Sequence, residues 1–163
     1  MTTAETPLPR AHEGERDGFR ISTDPARLDI AVIHGYLARS YWAKGIPREI
    51  VERAIRGSLC FGVYEAGAGE GESERQIGFA RVITDRATFA YLADVFVLEE
   101  WRGRGLSKWL LETILAHPDL QRLRRFCLGT RDAQGLYARY GFANPKDPSR
   151  FMEILRPDVY QTS

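Results

Sequence analysis

Val95-Phe96-Val97-Leu98-Glu99-Glu100-Trp101-Arg102-Gly103-Arg104-Gly105-Leu106-Ser107 changes character twice within a short span. A β-branched, apolar run stops at an acidic pair, and a glycine-rich basic turn follows. From Leu106 the apolar residues take helical spacing through Trp109, Leu110 and Ile114. Strand, Gly-rich turn and helix N-terminus in that order make an anion site, because the first helical N–H groups lack intrahelical acceptors. Gly103 and Gly105 let the backbone approach a ligand closely. Arg102 and Arg104 add positive charge beside the positive end of the helix dipole. The dipole itself contributes roughly 0.3–1 kcal/mol, about 2 kcal/mol when partly buried. Converging N–H bonds from the turn through Leu106 and Ser107 must therefore supply most of the grip. The ligand this predicts is a phosphate or pyrophosphate.

Two phosphate motifs fail here. A Walker-type loop needs Gly-x-x-x-x-Gly-Lys followed by Ser or Thr, and this turn lacks that lysine register. A dinucleotide fingerprint needs a third glycine where Lys108 stands. What fits is Arg-x-x-Gly-x-(Gly or Ala), with Arg102, Gly105 and Ser107 in those places. This resembles the acetyl-CoA pyrophosphate loop of the GNAT superfamily of N-acetyltransferases. Ser107 departs from the family's preference for Gly or Ala, but it is small and can donate a hydrogen bond. Taken alone, the turn is equally well read as a basic β-to-α loop without a ligand.

A second motif shifts that balance. Residues 129–142 run Gly-Thr-Arg-Asp-Ala-Gln-Gly-Leu-Tyr-Ala-Arg-Tyr-Gly-Phe, a short helix over 133–140 stopped by Gly141. Leu-Tyr-x-x-x-Gly-Phe downstream of the Arg/Gly turn is similar to the later cofactor-contacting segment of the same superfamily. The resemblance spans residues 18–156 and is most specific over 89–142. It implies that Tyr137 lies near the CoA sulfur. Where many relatives carry an asparagine ahead of that tyrosine, this chain has Thr130, a hydroxyl without an amide, at the position that meets the pantetheine arm. The resemblance further implies that Phe96, Val97 and Leu98 bind that arm through their backbone, as an added strand would.

Composition bounds the alternatives. A chain of 163 residues, 44% of them hydrophobic, is long enough to bury a core. A formal net charge of +1 gives no global argument for nucleic acid or an anionic membrane. No apolar run reaches the length of a membrane span, and the polar start lacks a signal-peptide core. Cys60 and Cys127 sit in apolar runs and read as buried thiols of a cytoplasmic protein. His12, His34 and His117 make no metal-ligand spacing, so no metal is expected. Arg122, Arg124 and Arg125 cluster without the aromatic companions of a nucleic-acid sheet; they could meet the CoA 3′-phosphate or simply be solvated.

Punctuation along the chain predicts a flexible tail over 1–16 and one domain over 17–163. Strands are expected at 19–22, 59–65, 76–84, 88–98, 123–128 and 150–155. Helices are expected from Asp24-Pro25 to Ser40, from Pro47 to Gly57, over 104–116 and over 133–140, with a flexible acidic loop at 67–74. The fold class is therefore α/β (α+β): a mixed, mostly antiparallel sheet of six to seven strands with helices on both faces. That is also the GNAT layout.

The resemblance implies acetyl transfer from acetyl-CoA to a primary amine by direct attack. A lysine-like amine has a pKa near 10.4, so its neutral form at pH 7 is disfavoured by about 4.6 kcal/mol. A base, a water chain or desolvation must offset that cost. The leaving thiol needs less help, and a tyrosine, still protonated at pH 7, suits the donor role. Tyr137 is the candidate acid; Tyr140 fits the family register less well. Asp94, among apolar neighbours on a central strand, is the candidate base or acceptor contact, unless it is a structural carboxylate paired with an arginine such as Arg81. Tyr41 and Trp42, next to a Gly-Pro break and near Tyr36, Ser40 and Lys44, either line an acceptor pocket or pack as core. The acceptor is a small molecule or a peptide, and homodimerisation is left open. Two other readings stay in play: a non-catalytic acyl-CoA-binding or sensing module, and a phosphate- or nucleotide-binding protein outside this superfamily.

Overall fold

The computed structural model describes residues 11–67 and 73–161. Its strands are β1 (Glu13–Arg16), β2 (Phe19–Ser22), β3 (Leu59–Glu65), β4 (Arg75–Thr84), β5 (Phe89–Val97) and β6 (Arg125–Leu128). The helices are α1 (Ile30–Leu37), α2 (Arg48–Arg56), α3 (Leu106–Ala116) and α4 (Gln134–Ala138). All six strands form one sheet in sequence order. Each neighbouring pair from β1 to β5 is antiparallel, and β6 joins β5 in parallel after the α3 crossover. No helix among the described residues is long and apolar enough to cross a membrane.

Three expectations are corrected. Residues 13–16 are a strand, not tail: Asp17 and Gly18 both take positive φ, the two-residue hairpin turn that Asp-Gly favours, and it pairs Arg16 with Phe19. Residues 1–10 lie outside the described residues. The helix expected from Asp24 is interrupted, because two aspartates compete to start it. Asp24 caps only a 3₁₀ turn at Pro25–Arg27, and Asp29 then caps α1 through the Val32 N–H. The strand expected at 150–155 does not form. A 3₁₀ turn at Pro148–Arg150 sets Phe151 against the Arg125 guanidinium, 4.8 Å from the ring centroid, and residues 151–155 belong to no strand among the described residues. Of the acidic loop, residues 68–72 lie outside the described residues, while Glu74 is ion-paired with Arg20 and Arg27.

Strand alternation feeds two cores. Leu59, Phe61 and Val63 with Ile77, Ala80 and Val82 pack under α3, against Leu106, Leu110 and Ile114. On the opposite face Cys60, Phe79 and Phe96 meet Ile33 and Leu37 of α1 and Val51 and Ile55 of α2. A bulge changes the alternation in β5. Phe79 pairs with Phe96 and Arg81 with Ala93, so Ala80 stands opposite both Asp94 and Val95. Asp94 absorbs the extra residue with φ +55. In consequence Ala90 and Leu92 face the α3 core, yet so does Val97, while Phe96 turns to the other face.

Candidate active site

The turn expected to hold an anion places both of its glycines in the left-handed region. Gly103 and Gly105 adopt φ +79 and +77, and a Cβ at either would meet nothing within 4 Å, so the turn is open on its outer side. α3 begins directly after Gly105 with no side-chain cap, which leaves its first N–H groups available to an anion. The Leu106 side chain is core, so this residue can offer only its backbone. Ser107 is half-buried beside it. The two arginines are held by the protein: Arg104 stacks over Trp101 at 4.8 Å. Arg102 donates from Nε to the Val97 carbonyl (3.1 Å) and from Nη2 to the Tyr36 hydroxyl (3.1 Å). Arg102 thus ties the turn to β5 and α1.

A gap in the sheet leads away from this turn. β5 and β6 pair only from Phe89/Arg125 to Leu92/Leu128. Past Leu92 the edge of β5 that faces β6 has no strand partner among the described residues, although the other edge stays paired with β4. Register decides which groups face the gap. The Leu98 N–H bonds the Ile77 carbonyl at 2.8 Å, and its own carbonyl accepts from Trp101 at 2.9 Å. Alternation then turns Phe96 to β4 as well, leaving Val97 and Val95 to face the gap. Of the three backbone contacts expected at 96–98, only Val97 is oriented for one. Val95 was missed, because only the bulge gives it that direction.

Tyr137 and Thr130 border a cavity of about 810 Å³ beside β6. The Tyr137 ring meets Phe142 edge-on at 5.9 Å and packs against the α3 core. Desolvation by this packing, with Tyr41 close by, raises its pKa above the ordinary tyrosine value. Tyr140 is directed elsewhere, its hydroxyl donating to Glu112 of α3 at 3.4 Å. The Thr130 hydroxyl accepts from the Ala133 N–H at 3.1 Å, so it organises the start of α4. Cys127 is half-buried on β6, rather than fully buried as expected.

Asp94 is not an isolated carboxylate. Arg81 Nε donates to one oxygen at 2.7 Å and Trp42 Nε1 to the other at 3.0 Å, with the Arg81 and Asp94 side chains only 16% and 11% exposed. Arg81 also donates to Ser58 Oγ at 3.2 Å. Trp42 and Tyr41 are 40% and 51% exposed, so the core reading of this pair does not hold. Tyr41 meets Trp42 edge-on at 5.0 Å, and the Arg131 guanidinium lies over the Tyr41 ring at 3.9 Å. The Arg131 N–H also donates to the Tyr41 hydroxyl at 3.4 Å. One string of contacts, Asp94–Trp42–Tyr41–Arg131, thus joins β5 to the loop ahead of α4. A smaller cavity of about 230 Å³ lies beneath it, lined by Trp42, Phe79, Arg81, Asp94, Ile46 and Tyr160. Tyr36 stacks on Phe96 at 3.9 Å and reaches Arg102, linking this region to the anion turn. Arg131 was not singled out from the sequence, since its charge belongs to no motif, whereas Tyr36 was named only as a neighbour of Tyr41 and Trp42.

An open, uncapped helix start, a parted pair of parallel strands and a half-buried tyrosine beyond them fit an extended, phosphate-bearing thioester. The model of the acetyltransferase (GNAT) domain matches residues 56–144. A candidate acetyltransferase of Gibberella zeae is 34% identical over 138 residues, covering 76% of this chain and 78% of that protein. The chain therefore belongs to the GNAT acetyltransferases, the family whose acyl donor is acetyl-CoA. A crystal structure of a candidate GNAT-family acetyltransferase from Xanthomonas campestris is 54% identical, covers 91% of this chain and all of that one, and superposes with a TM-score of 0.83. A GNAT structure from Elizabethkingia anophelis with acetyl-CoA bound shares the fold at 16% identity and a TM-score of 0.56, over 78% of each chain.

Proposed function

We propose that this protein transfers an acetyl group from acetyl-CoA to a primary amine by direct attack, with Tyr137 as the general acid. The observation that carries the reading is the parting of β5 from β6 after Leu92, between an uncapped α3 start and Tyr137. Acetyl-CoA, when bound, supplies an activated acyl carbon and a thiol leaving group. The N–H groups from Gly105 through Ser107 hold its pyrophosphate. Val95 and Val97 present backbone groups to its pantetheine arm, as an added strand does.

Tyr137 holds its proton well above neutral pH, because burial opposes the phenolate. It therefore has a proton to give when a thiolate departs. Asp94 acts as a positioning group: both oxygens are engaged, and it fixes Trp42 and Arg81 at the wall where the amine enters. Exposed Trp42 and Tyr41 offer ring faces to an ammonium or alkyl chain. The amine loses its own proton to water in this account.

The test is to incubate the protein with acetyl-CoA and a panel of amines, from alkylamines and arylalkylamines to lysine peptides, and to weigh the products. Amine-dependent thiol release with an acetylated product supports the reading. Acetyl-CoA binding without product for any amine class identifies an acyl-CoA-binding module instead.

A further inference from the structure

We propose that the acceptor is a small arylalkylamine whose ring enters the cavity behind Trp42, with its ammonium at Asp94 and with Tyr160 limiting how large a body fits. The proposal rests on the acetyl-transfer reading for what becomes of the amine, but not for its binding. The cavity, of about 230 Å³, lies between α1 and α2 on one side and β4 and β5 on the other. Its depth is apolar, since Leu37, Val51, Ile55 and Phe79 belong to the buried part of the second core. An apolar cavity of about 150 Å³ already holds a benzene ring. This one therefore has room for a ring and a short alkyl arm.

One side of the cavity differs from the rest. Among its lining residues Trp42 alone is exposed, so the mouth lies at this side chain. The charged groups of the lining, Arg81 and Asp94, stand beside it, and Trp42 is bonded to Asp94. The Asp94 carboxylate accepts one bond from Arg81 and one from Trp42, against about four lone-pair positions. It can accept a third from an ammonium at the mouth, and such charge-assisted bonds are the strong ones. Asp94 directly precedes Val95, whose backbone faces the gap. A nitrogen held there is one residue from the strand edge that the thioester follows. Arg81 is already bonded to Asp94 and Ser58, which disfavours an acceptor that also bears a carboxylate.

This orientation separates a free amine from a peptide. With the nitrogen at the mouth, the rest of the molecule must end inside the cavity, which a side chain on a polypeptide cannot do. One wall comes from far along the chain. Tyr160 packs on the second core, and its carbonyl would lie 3.1 Å from a Cβ placed on Gly45. Gly45 has φ +79, so a glycine lets the connection between α1 and α2 meet the C-terminal segment closely. A turn from the Gln161 N–H to the Asp158 carbonyl, at 3.0 Å, holds the segment around Tyr160. Neither the anion turn nor Tyr137 lines this cavity, so its size can be changed separately from both.

Calorimetric titration of the full chain with phenylethylamine, phenylethanol, butylamine, naphthylethylamine and a lysine peptide tests this, beside the acetyl-transfer assay with the same amines. Phenylethylamine is expected to bind wild type about tenfold or more tightly than any of the other four. Tyr160→Ala should bind naphthylethylamine more tightly than wild type does, and phenylethylamine more weakly. If that variant fails to fold, Ala54→Leu decides, because it fills the cavity from α2 with a good helix former. It should lower phenylethylamine affinity about tenfold and leave acetyl-CoA affinity within twofold. The expected ranking without any acetylated product supports the cavity and counts against the transfer reading alone. Acetylated product with equal affinities for all the amines overturns the proposal and leaves the transfer reading standing. No binding of phenylethylamine, equal binding of phenylethanol, or a ranking that neither substitution changes also overturns it.

Discussion

At Asp94 a positive φ, a bulge and an ion pair meet in one residue, and they can be separated by substitution. Asparagine also tolerates the left-handed region, so Asp94→Asn keeps the backbone and removes only the charge. It leaves Arg81 largely buried without its carboxylate. Breaking such a pair costs about 3–5 kcal/mol, and the expected loss is near the lower end, about 3 kcal/mol, since both side chains keep some solvent. Chemical denaturation reads it; a loss below about 1 kcal/mol is the surface-pair value and would contradict a structural role for the pair. Asp94→Asn/Arg81→Met should recover most of the stability, because no uncompensated charge remains. The same contacts explain why the sequence suggested a base here. Its neighbours along the chain are apolar, but the partners that matter, Arg81 and Trp42, arrive from β4 and from the loop after α1.

Among the elements, α3 carries a test at each end. At its start, Gly105→Asp adds a side chain at φ +77 and a negative charge at the anion turn. The left-handed conformation alone costs roughly 1–2 kcal/mol. Calorimetric titration should show acetyl-CoA affinity reduced by at least tenfold, and unchanged affinity would remove this turn from the binding site. At its end, His117 is buried, and burial lowers its pKa below the ordinary 6.5. Its Nδ1 accepts the Asp119 N–H at 3.2 Å, which requires the neutral ring. The stability that depends on a neutral His117 is therefore complete above pH 6.5 and is lost as pH falls below it, where the unfolded chain takes the proton first. His117→Asn keeps an acceptor and does not titrate, so its melting temperature should fall less between neutral and mildly acid pH than that of wild type. The central elements β3, β4, β5 and α3 were legible because each has a strong period and clear stops. β1 was not, since its Glu-Gly-Glu-Arg has no apolar face and only the Asp17-Gly18 turn announces it. The segment 150–155 misled for the opposite reason: it has the composition of a strand, but pairing depends on a partner that local sequence does not contain.

For the whole molecule, the two faces of the sheet divide the labour. The α3 face carries the larger core, and the α1–α2 face carries a smaller core together with the Asp94 cluster. Cys60 lies in that second core, and burial pushes its thiol up to about 12. In the unfolded chain it ionises near 9, so stability should decline as pH rises above that value. At about pH 8 an aromatic disulfide reagent should modify half-buried Cys127 in the native protein and Cys60 only after unfolding. Rapid native modification of both thiols would contradict the packing between α2 and the sheet. The bulge at Asp94 could not be foreseen from a single strand, since it exists only in the register of β5 against β4, yet it directs Val95 and Val97 to the gap. The Gly103–Gly105 turn and the short helix that carries Tyr137 were legible as local structure because glycines and apolar spacing mark each; their placement on either side of one opening is a property of the assembled sheet. The measurement that bears most directly on this account compares kcat and acetyl-CoA affinity for wild type and Tyr137→Phe with one accepted amine. Loss of a general acid should lower kcat by about 10²-fold or more and leave acetyl-CoA affinity within twofold. Equal kcat values for the two proteins would contradict it.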